Sequence, residues 1–419
     1  MAEAARHLDL ESYEKSIPQL TVWQIKSTLE DFDRFVKRYD PFFYRKEQRG
    51  HFRTELRGLL SDLPRKTIEP IAFDHKQPDH PLQHFVGAGL WDDEKVLAEF
   101  HEHVVEEFGD PDGVLVVDGS GFPKKGTESV GVKRQYCGRT GKIDNCQVGV
   151  FLGYASPQGG TLVGRRLYFP REWARSPKRR RKAHVPDDVR YRSTIQISNE
   201  MLQHYGSRFP HGWITGDDEF GRITWFRYAL ADRGERYLLE VPTDTHIRDL
   251  DAVPPKRPSR LGPPTKPPFL PVLAWAKAQP RSSWTRLQIR DGEKRPLEVE
   301  AILARVQCRF ERRVGREETL LVTRTIGPNP EYKAWLGNPR LKAPIEKLAW
   351  VASMRHRIEE FIEWGKQDAG LAAYEVRSWV GWHHHMTLSL LALGFLTLEH
   401  KRLEKKEANP HRLDGCSRG

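Results

Sequence analysis

The chain has 419 residues, enough for on the order of two or three domains with full-sized cores, so a peptide-sized or disulfide-stapled scaffold is excluded. Its 68 Lys and Arg exceed its 57 Asp and Glu, a formal charge of +11 that points to an anionic partner, nucleic acid foremost. Four cysteines without zinc or C-x-x-C spacing, no apolar run near the ~20 residues that cross a bilayer, and no signal-like core in the first fifteen residues lead us to expect a soluble cytoplasmic protein.

From Val22 to Phe108 apolar residues recur at helical spacing: Ile25, Leu29, Phe32, Phe35; Phe52, Leu56, Leu59, Leu63; Val96, Phe100, Val104. This predicts an N-terminal helical domain over residues 1–110, with Asp92 and Asp93 announcing its third helix. After the turn cluster Asp110-Pro111-Asp112-Gly113 the pattern changes to a β-branched run, Val114 to Val117, that stops at Asp118-Gly119-Ser120. Two further strands, Gln147 to Tyr154 and Leu162 to Phe169, are joined by a hairpin-type loop at Ser156 to Gly160. A helix, Thr194 to Tyr205, leads to a strand, Trp213 to Thr215, ending at Gly216-Asp217-Asp218; then come a helix, Thr224 to Arg233, and a strand, Tyr237 to Val241. A proline-crowded tether follows, from Pro254 to Pro271, and then strand-like stretches at Thr285 to Ile289, Leu297 to Arg309 and Thr319 to Arg324. A helix over Ile345 to Lys366, a last apolar helix over Thr387 to Glu399 and a charged, disordered tail over 401–419 complete the reading.

A three-strand meander, then a helix and a strand parallel to the first, is the topology of the RNase H fold. The expected architecture is therefore mixed α/β. An RNase H-like catalytic core over 111–250 and 340–400 is interrupted by a proline-rich tether and β-rich insertion over 251–339. In that order strands one and four are neighbours, so Asp118 and Asp217 meet at one end of the sheet. A lone Asp at a strand end ordinarily caps a turn. Two carboxylates at contact repel unless a cation lies between them, and Mg²⁺ takes such oxygen ligands while keeping waters and phosphates. A third carboxylate is expected from the helix after the insertion. There Val351, Met354, Ile358 and Phe361 form the buried stripe, Glu359 sits on its flank with Arg355 and Lys366, Glu363 is the reserve and Glu360 points to solvent.

The spacing Arg355-(three)-Glu359-(six)-Lys366 matches the Tyr-Arg-Glu-Lys signature of one branch of the DDE transposases of bacterial insertion sequences, the branch with a β-rich insertion before the Glu. Leu82-Gln83-His84-Phe85 before Trp91-Asp92, Asp118 with Phe122-Pro123-Lys124-Lys125-Gly126, Gly131 to Gly138, Asn145-Cys146-Gln147, Leu167 to Pro170, Trp213 to Asp217 and Gly381 to His385 also resemble its members. The signature's Tyr falls at Ala352. The resemblance implies a transposase whose Asp118, Asp217 and Glu359 hold two Mg²⁺ ions, with Mn²⁺ able to substitute. Those ions activate water to cut DNA at the element's terminal repeats and then the freed 3′-hydroxyl to attack target DNA. It also implies that the N-terminal helices bind DNA, that Arg355 and Lys366 hold DNA backbone, and that the protein joins two ends as a homodimer or higher assembly. Lys124 and Lys125, just past Asp118, are placed for phosphate contact, and the run Lys178 to Lys182 is a second candidate. His383-His384-His385 is not expected to bind metal, because adjacent helical side chains diverge by about 100°. The competing readings are a non-catalytic DNA-binding protein that keeps a transposase fold and a different RNase H-like nuclease.

Overall fold

The computed structural model describes residues 22–256, 265–290, 297–310, 313–339 and 341–407. Five helices open the chain: α1 (Val22–Arg38), α2 (Lys46–Leu60), α3 (Ile68–Asp74), α4 (Asp79–Ala88) and α5 (Asp93–Phe108). Asp92 caps α5, its Oδ1 accepting from the backbone N–H of Glu94 and Lys95 at 3.1 Å, as its place in the sequence predicts.

The first sheet is built from β1 (Val114–Pro123), β2 (Lys133–Cys137), β3 (Lys142–Ser156), β4 (Gly159–Leu167) and β5 (Trp213–Gly216). β3 pairs antiparallel with β1 on one edge and with β2 and β4 on the other, while β5 lies parallel to β1. Short helices α6 (Arg171–Ala174) and α7 (Pro177–Lys182) precede α8 (Thr194–Tyr205); α9 (Asp218–Gly221) and α10 (Thr224–Asp232) follow β5. Val114 to Val117 are fully buried without alternation, as a central strand covered on both faces requires. This is the RNase H-like arrangement of the meander and its parallel neighbour.

The second sheet runs β6 (Leu238–Val241), β7 (His246–Asp249), β8 (Leu270–Pro271), β9 (Thr285–Arg290), β10 (Leu297–Phe310), β11 (Arg313–Thr325) and β12 (Tyr332–Gly337), with helix α11 (Val272–Ala278) between β8 and β9. Its spatial order is β6-β12-β11-β10-β7-β8, with β9 against β10. Here the structure departs from the sequence reading. The strand expected over Tyr237 to Val241 as part of the catalytic core pairs from Leu238 to Val241 with β12, and Tyr237 forms an isolated bridge to Ile214 of β5. The second sheet thus begins before residue 251, and β6 joins the two sheets. Along β11, Leu320 and Val322 pack with Trp275 of α11, whereas Leu321 between them packs into the main core, the period of two expected of a strand covered on both faces.

Two long helices close the molecule, α12 (Ile345–Gln367) and α13 (Trp379–Glu407). α13 is buried all round through Trp382, Met386, Leu388, Leu390, Leu391 and Leu393, and it packs on β4 and on α2, α4 and α5. A Cβ on Gly394 would meet the Phe100 ring at 2.4 Å, so this glycine lets α5 lie close against α13. The N-terminal helices therefore share one continuous core with the first sheet. The helix also extends into the expected tail as far as Glu407; residues 408–419, like Pro258, Pro263 and Pro264 of the tether, lie outside the described residues.

Candidate active site

The parallel register Val117↔Gly216 puts the next residue of each strand, Asp118 and Asp217, side by side at the same end of the sheet. Asp118 is half-buried and accepts the Gly119 N–H at 2.6 Å. Asp217 caps α9, accepting the Glu219 N–H at 3.0 Å. Burial and the neighbouring Asp217 push the Asp118 carboxyl up to about 7. Burial, then Glu219 and Asp218, push Asp217 up to about 6. Two carboxyls held this far above their ordinary range lack the positive charge that would let both ionise at neutral pH.

Glu359 of α12 faces the same place. It lines one cleft with Asp118, Ser120, Arg139, Glu363 and Lys366, and its charge acts on Asp118. Its carboxylate is engaged, however: Oε1 accepts from Arg355 Nη1 at 2.7 Å, and Oε2 lies 3.1 Å from His356 Nδ1. Arg355 also places Nε 2.7 Å from Glu240 of β6, and it lowers the pKa of both aspartates. Among the described residues no three carboxylate, His or Cys side chains stand together as a ready ligand set. Asp118 and Asp217 converge as expected, while Glu359 is drawn to a guanidinium that stands where positive charge is needed. An all-oxygen donor set with two repelling aspartates fits a hard divalent cation.

Glu360 departs from the expectation that it faces water. Its side chain is 21% exposed against 41% for Glu359, and it pairs with Arg357 at 2.6 Å. Helical phase alone cannot register a neighbouring Arg that folds over the side chain.

Lys366 donates to Ser120 Oγ at 2.6 Å beside Asp118, and burial lowers its pKa. Lys124 is turned inward, donating to the Tyr374 carbonyl at 2.9 Å with its ammonium 3.3 Å from the Tyr374 ring centroid, and burial lowers its pKa to about 8. Lys125 remains exposed. In α7, Arg179 lies over Trp173, Arg180 donates to the Val189 carbonyl and the exposed Lys182 pairs with Glu128, while Lys178 and Arg181 also face outward. The three consecutive histidines diverge: His383 meets the Trp379 carbonyl, His384 those of Val86 and Trp91, His385 that of Gly370. Sequence reasoning missed Glu240 and Arg139. The first is a single acid on a short strand; the second stands in a glycine-flanked turn that carries no periodic signal.

Fold and site together define an RNase H-like protein with an acidic centre at the end of its sheet. Residues 38–296 match the family model described as DDE superfamily endonuclease, and the chain belongs to that family. The match includes Asp118 and Asp217 and ends before α12. The chain is also 33% identical over 210 residues to a probable transposase for insertion sequence element IS701 of Microchaete diplosiphon, an alignment covering 46% of this chain. The chain spans about half the length of that curated relative, 51%. Among solved structures, the NurA nuclease of Sulfolobus solfataricus aligns over 62% of this chain and 80% of its own, at 8% identity and a TM-score of 0.26, a likeness too slight to inform the fold.

Proposed function

We propose that this chain is the transposase of an insertion sequence, cutting DNA at the element's ends and joining those ends to target DNA. The observation that carries this reading is the side-by-side placement of Asp118 and Asp217, both of whose carboxyls are pushed above their ordinary range by burial and neighbouring acids. The similarity to a probable insertion-sequence transposase supports DNA as the substrate.

Asp118, Asp217 and Glu359 would hold two Mg²⁺ ions, or Mn²⁺ in their place; when bound, these supply Lewis-acid activation of the attacking oxygen and stabilise the leaving 3′-oxygen. Water attacks the phosphorus, the P–O3′ bond breaks, and the freed 3′-hydroxyl then attacks a phosphodiester of the target. Glu359 leaves Arg355 and His356 to serve as a ligand. Arg355, released from Glu359, can turn to DNA backbone while Glu240 keeps it near the centre. Lys366 holds positive charge in the same cleft, two helical turns beyond Glu359 on α12, and is the residue of this chain best placed to meet the scissile strand's phosphate. Lys125 contributes at the rim and the N-terminal helices bind flanking DNA. Joining two ends calls for at least a homodimer on DNA, acting in the cytoplasm of its host.

Strand nicking of duplexes carrying the element's terminal repeats, with Mg²⁺, tests the reading. Asp118→Asn and Asp217→Asn should each abolish cutting while DNA binding persists. Undiminished cutting by either variant, or cutting by wild type in EDTA, overturns it.

A further inference from the structure

The hairpin β2–β3 carries an exposed apolar pair that neither the fold nor the acidic site employs. Tyr136 and Ile143 are direct cross-strand partners, so both side chains rise from the same face, and they are 67% and 64% exposed. Side chains opposed in this way have Cβ atoms roughly 5 Å apart and make one continuous flat surface. The other face of the hairpin is anchored: Cys137 is buried against Gly121 of β1, where a Cβ would come within 2.7 Å of its Sγ. The exposed pair is therefore presented on a fixed platform.

Its surroundings select a partner. Arg134, two residues before Tyr136 on β2, shares the pair's face and is exposed. At the turn itself Gly138 and Arg139 line the cleft that contains Asp118, Glu359 and Lys366. Among the described residues no carboxylate pairs with Arg139, and its charge acts on Lys366 across the cleft. Two cations facing each other over acidic residues suit a phosphate lying between them. A flat apolar pair with Arg134 beside it, one turn away from a phosphate site, suits an unstacked nucleic-acid base.

We propose that the β2–β3 hairpin is a strand holder: Arg139 grips a backbone phosphate in the Asp118 cleft, and Tyr136 with Ile143 takes an unpaired base of the same DNA strand. This rests on the reading of the chain as a DNA-cutting protein and assigns it a preference for DNA whose strands are already parted near the cut. A second copy of the chain is the alternative occupant of the apolar pair.

The test measures binding by fluorescence anisotropy in EDTA, where no cutting occurs, to a blunt duplex and to the same duplex with a single-stranded tail bearing 2-aminopurine. Wild type should prefer the tailed DNA by about tenfold, the worth of one stacked base, with quenching of the 2-aminopurine. Tyr136→Ala combined with Ile143→Ala should lose the preference and the quenching while keeping blunt-duplex affinity. Tyr136→Phe should retain both, and Arg139→Ala should weaken tailed DNA more than blunt. A preference unchanged in the double variant, or none in wild type that binds blunt duplex normally, overturns the hairpin's role alone. Sedimentation that shows a wild-type dimer falling to monomer in the double variant, with the tail preference intact, assigns the pair to a second copy and also overturns it. Wild type that binds neither DNA defeats the broader reading instead.

Discussion

Arg355 joins Glu240 on β6 to Glu359 on α12, its guanidinium 2.7 Å from each carboxylate. Glu240 and Arg355 are 17% and 20% exposed, so neither charge is well hydrated, and burial raises the Glu240 pKa. Removing one partner of such a pair leaves the other poorly solvated. Glu240→Gln should lower unfolding stability by about 1–3 kcal/mol, measured by urea denaturation. Arg355, left to the acidic centre alone, should then compete harder with cations, so half-maximal nicking should need more Mg²⁺. An unchanged Mg²⁺ titration would show that Glu240 does not hold Arg355 back.

The three acids of α12 have different surroundings and should behave differently. Glu359 lies in the Asp118 cleft, Glu363 lines the same cleft and accepts from Gln367 at 3.0 Å, and Glu360 pairs with Arg357. Glu359→Gln should reduce nicking by several orders of magnitude with DNA binding near wild type. Glu360→Gln should leave nicking intact and shift stability by no more than about 1 kcal/mol. If Glu363→Gln is the inactive variant and Glu359→Gln still nicks, the third ligand is misassigned.

The raised carboxyls predict a pH dependence with a definite sign. Asp118, at about 7, and Asp217, at about 6, bind protons more tightly in the folded chain than unfolded, where both titrate near 3.8. Between about pH 4 and pH 7 the folded state therefore holds more protons, and the metal-free protein loses stability as pH rises through that window. Asp118→Asn should flatten the dependence. Mg²⁺ needs the ionised forms, so its increase in melting temperature should be larger at about pH 8 than at about pH 5. Equal Mg²⁺ shifts at both would show that the aspartates are not its ligands.

Much of this was legible before any coordinates. Val114 to Val117 announced a buried strand because apolar β-branched runs do so locally, and the parallel placement of β5 followed from the order of elements, bringing Asp118 and Asp217 together. Partner choice was not legible. Leu238–Val241 reads as a strand in any sheet, and its pairing with β12, about a hundred residues onward, depends on contacts that periodicity does not encode. β2 escaped notice because Lys133–Cys137 offers only Cys137 to the interior. The same blindness hid Glu240, whose significance comes wholly from the helix it meets.

Lys124 and Lys125 are adjacent in sequence and opposite in role. Lys124 is desolvated against Tyr374, whereas Lys125 is exposed. Lys124→Ala should destabilise the fold by about 2 kcal/mol through the lost cation–π contact, leaving the salt dependence of DNA binding unchanged. Lys125→Ala should leave stability unchanged and reduce the magnitude of the log–log salt slope by about 0.9, one phosphate contact. A reduced slope for Lys124→Ala would mean that its side chain swings out to DNA.

A buried ion pair helps to fasten the second sheet to the loop that bears Asp217. Arg227 of α10 meets Glu318 of β11 through two bonds, Nε to Oε1 at 2.7 Å and Nη2 to Oε2 at 3.1 Å, with both side chains almost wholly buried. The Tyr237 hydroxyl donates to the same Oε1 at 2.9 Å, and Arg227 Nη1 donates to the carbonyl of Gly221, the last residue of the short helix that Asp217 caps. The Arg227 guanidinium thus ties the second sheet to the Asp217 turn, beside the direct packing of Gly221 on Glu240 and Val241 of β6. Glu318→Gln leaves that charge buried without its counter-ion and should cost about 3–5 kcal/mol. Glu318→Met with Arg227→Met, of similar volume and uncharged, should recover most of that stability yet still lack the hold on Gly221. If the pair serves only stability, the double variant should nick DNA like wild type. If it also fixes Asp217, the double variant should fold normally and remain slow at every Mg²⁺ concentration, and this second outcome is the one expected from the Arg227–Gly221 contact.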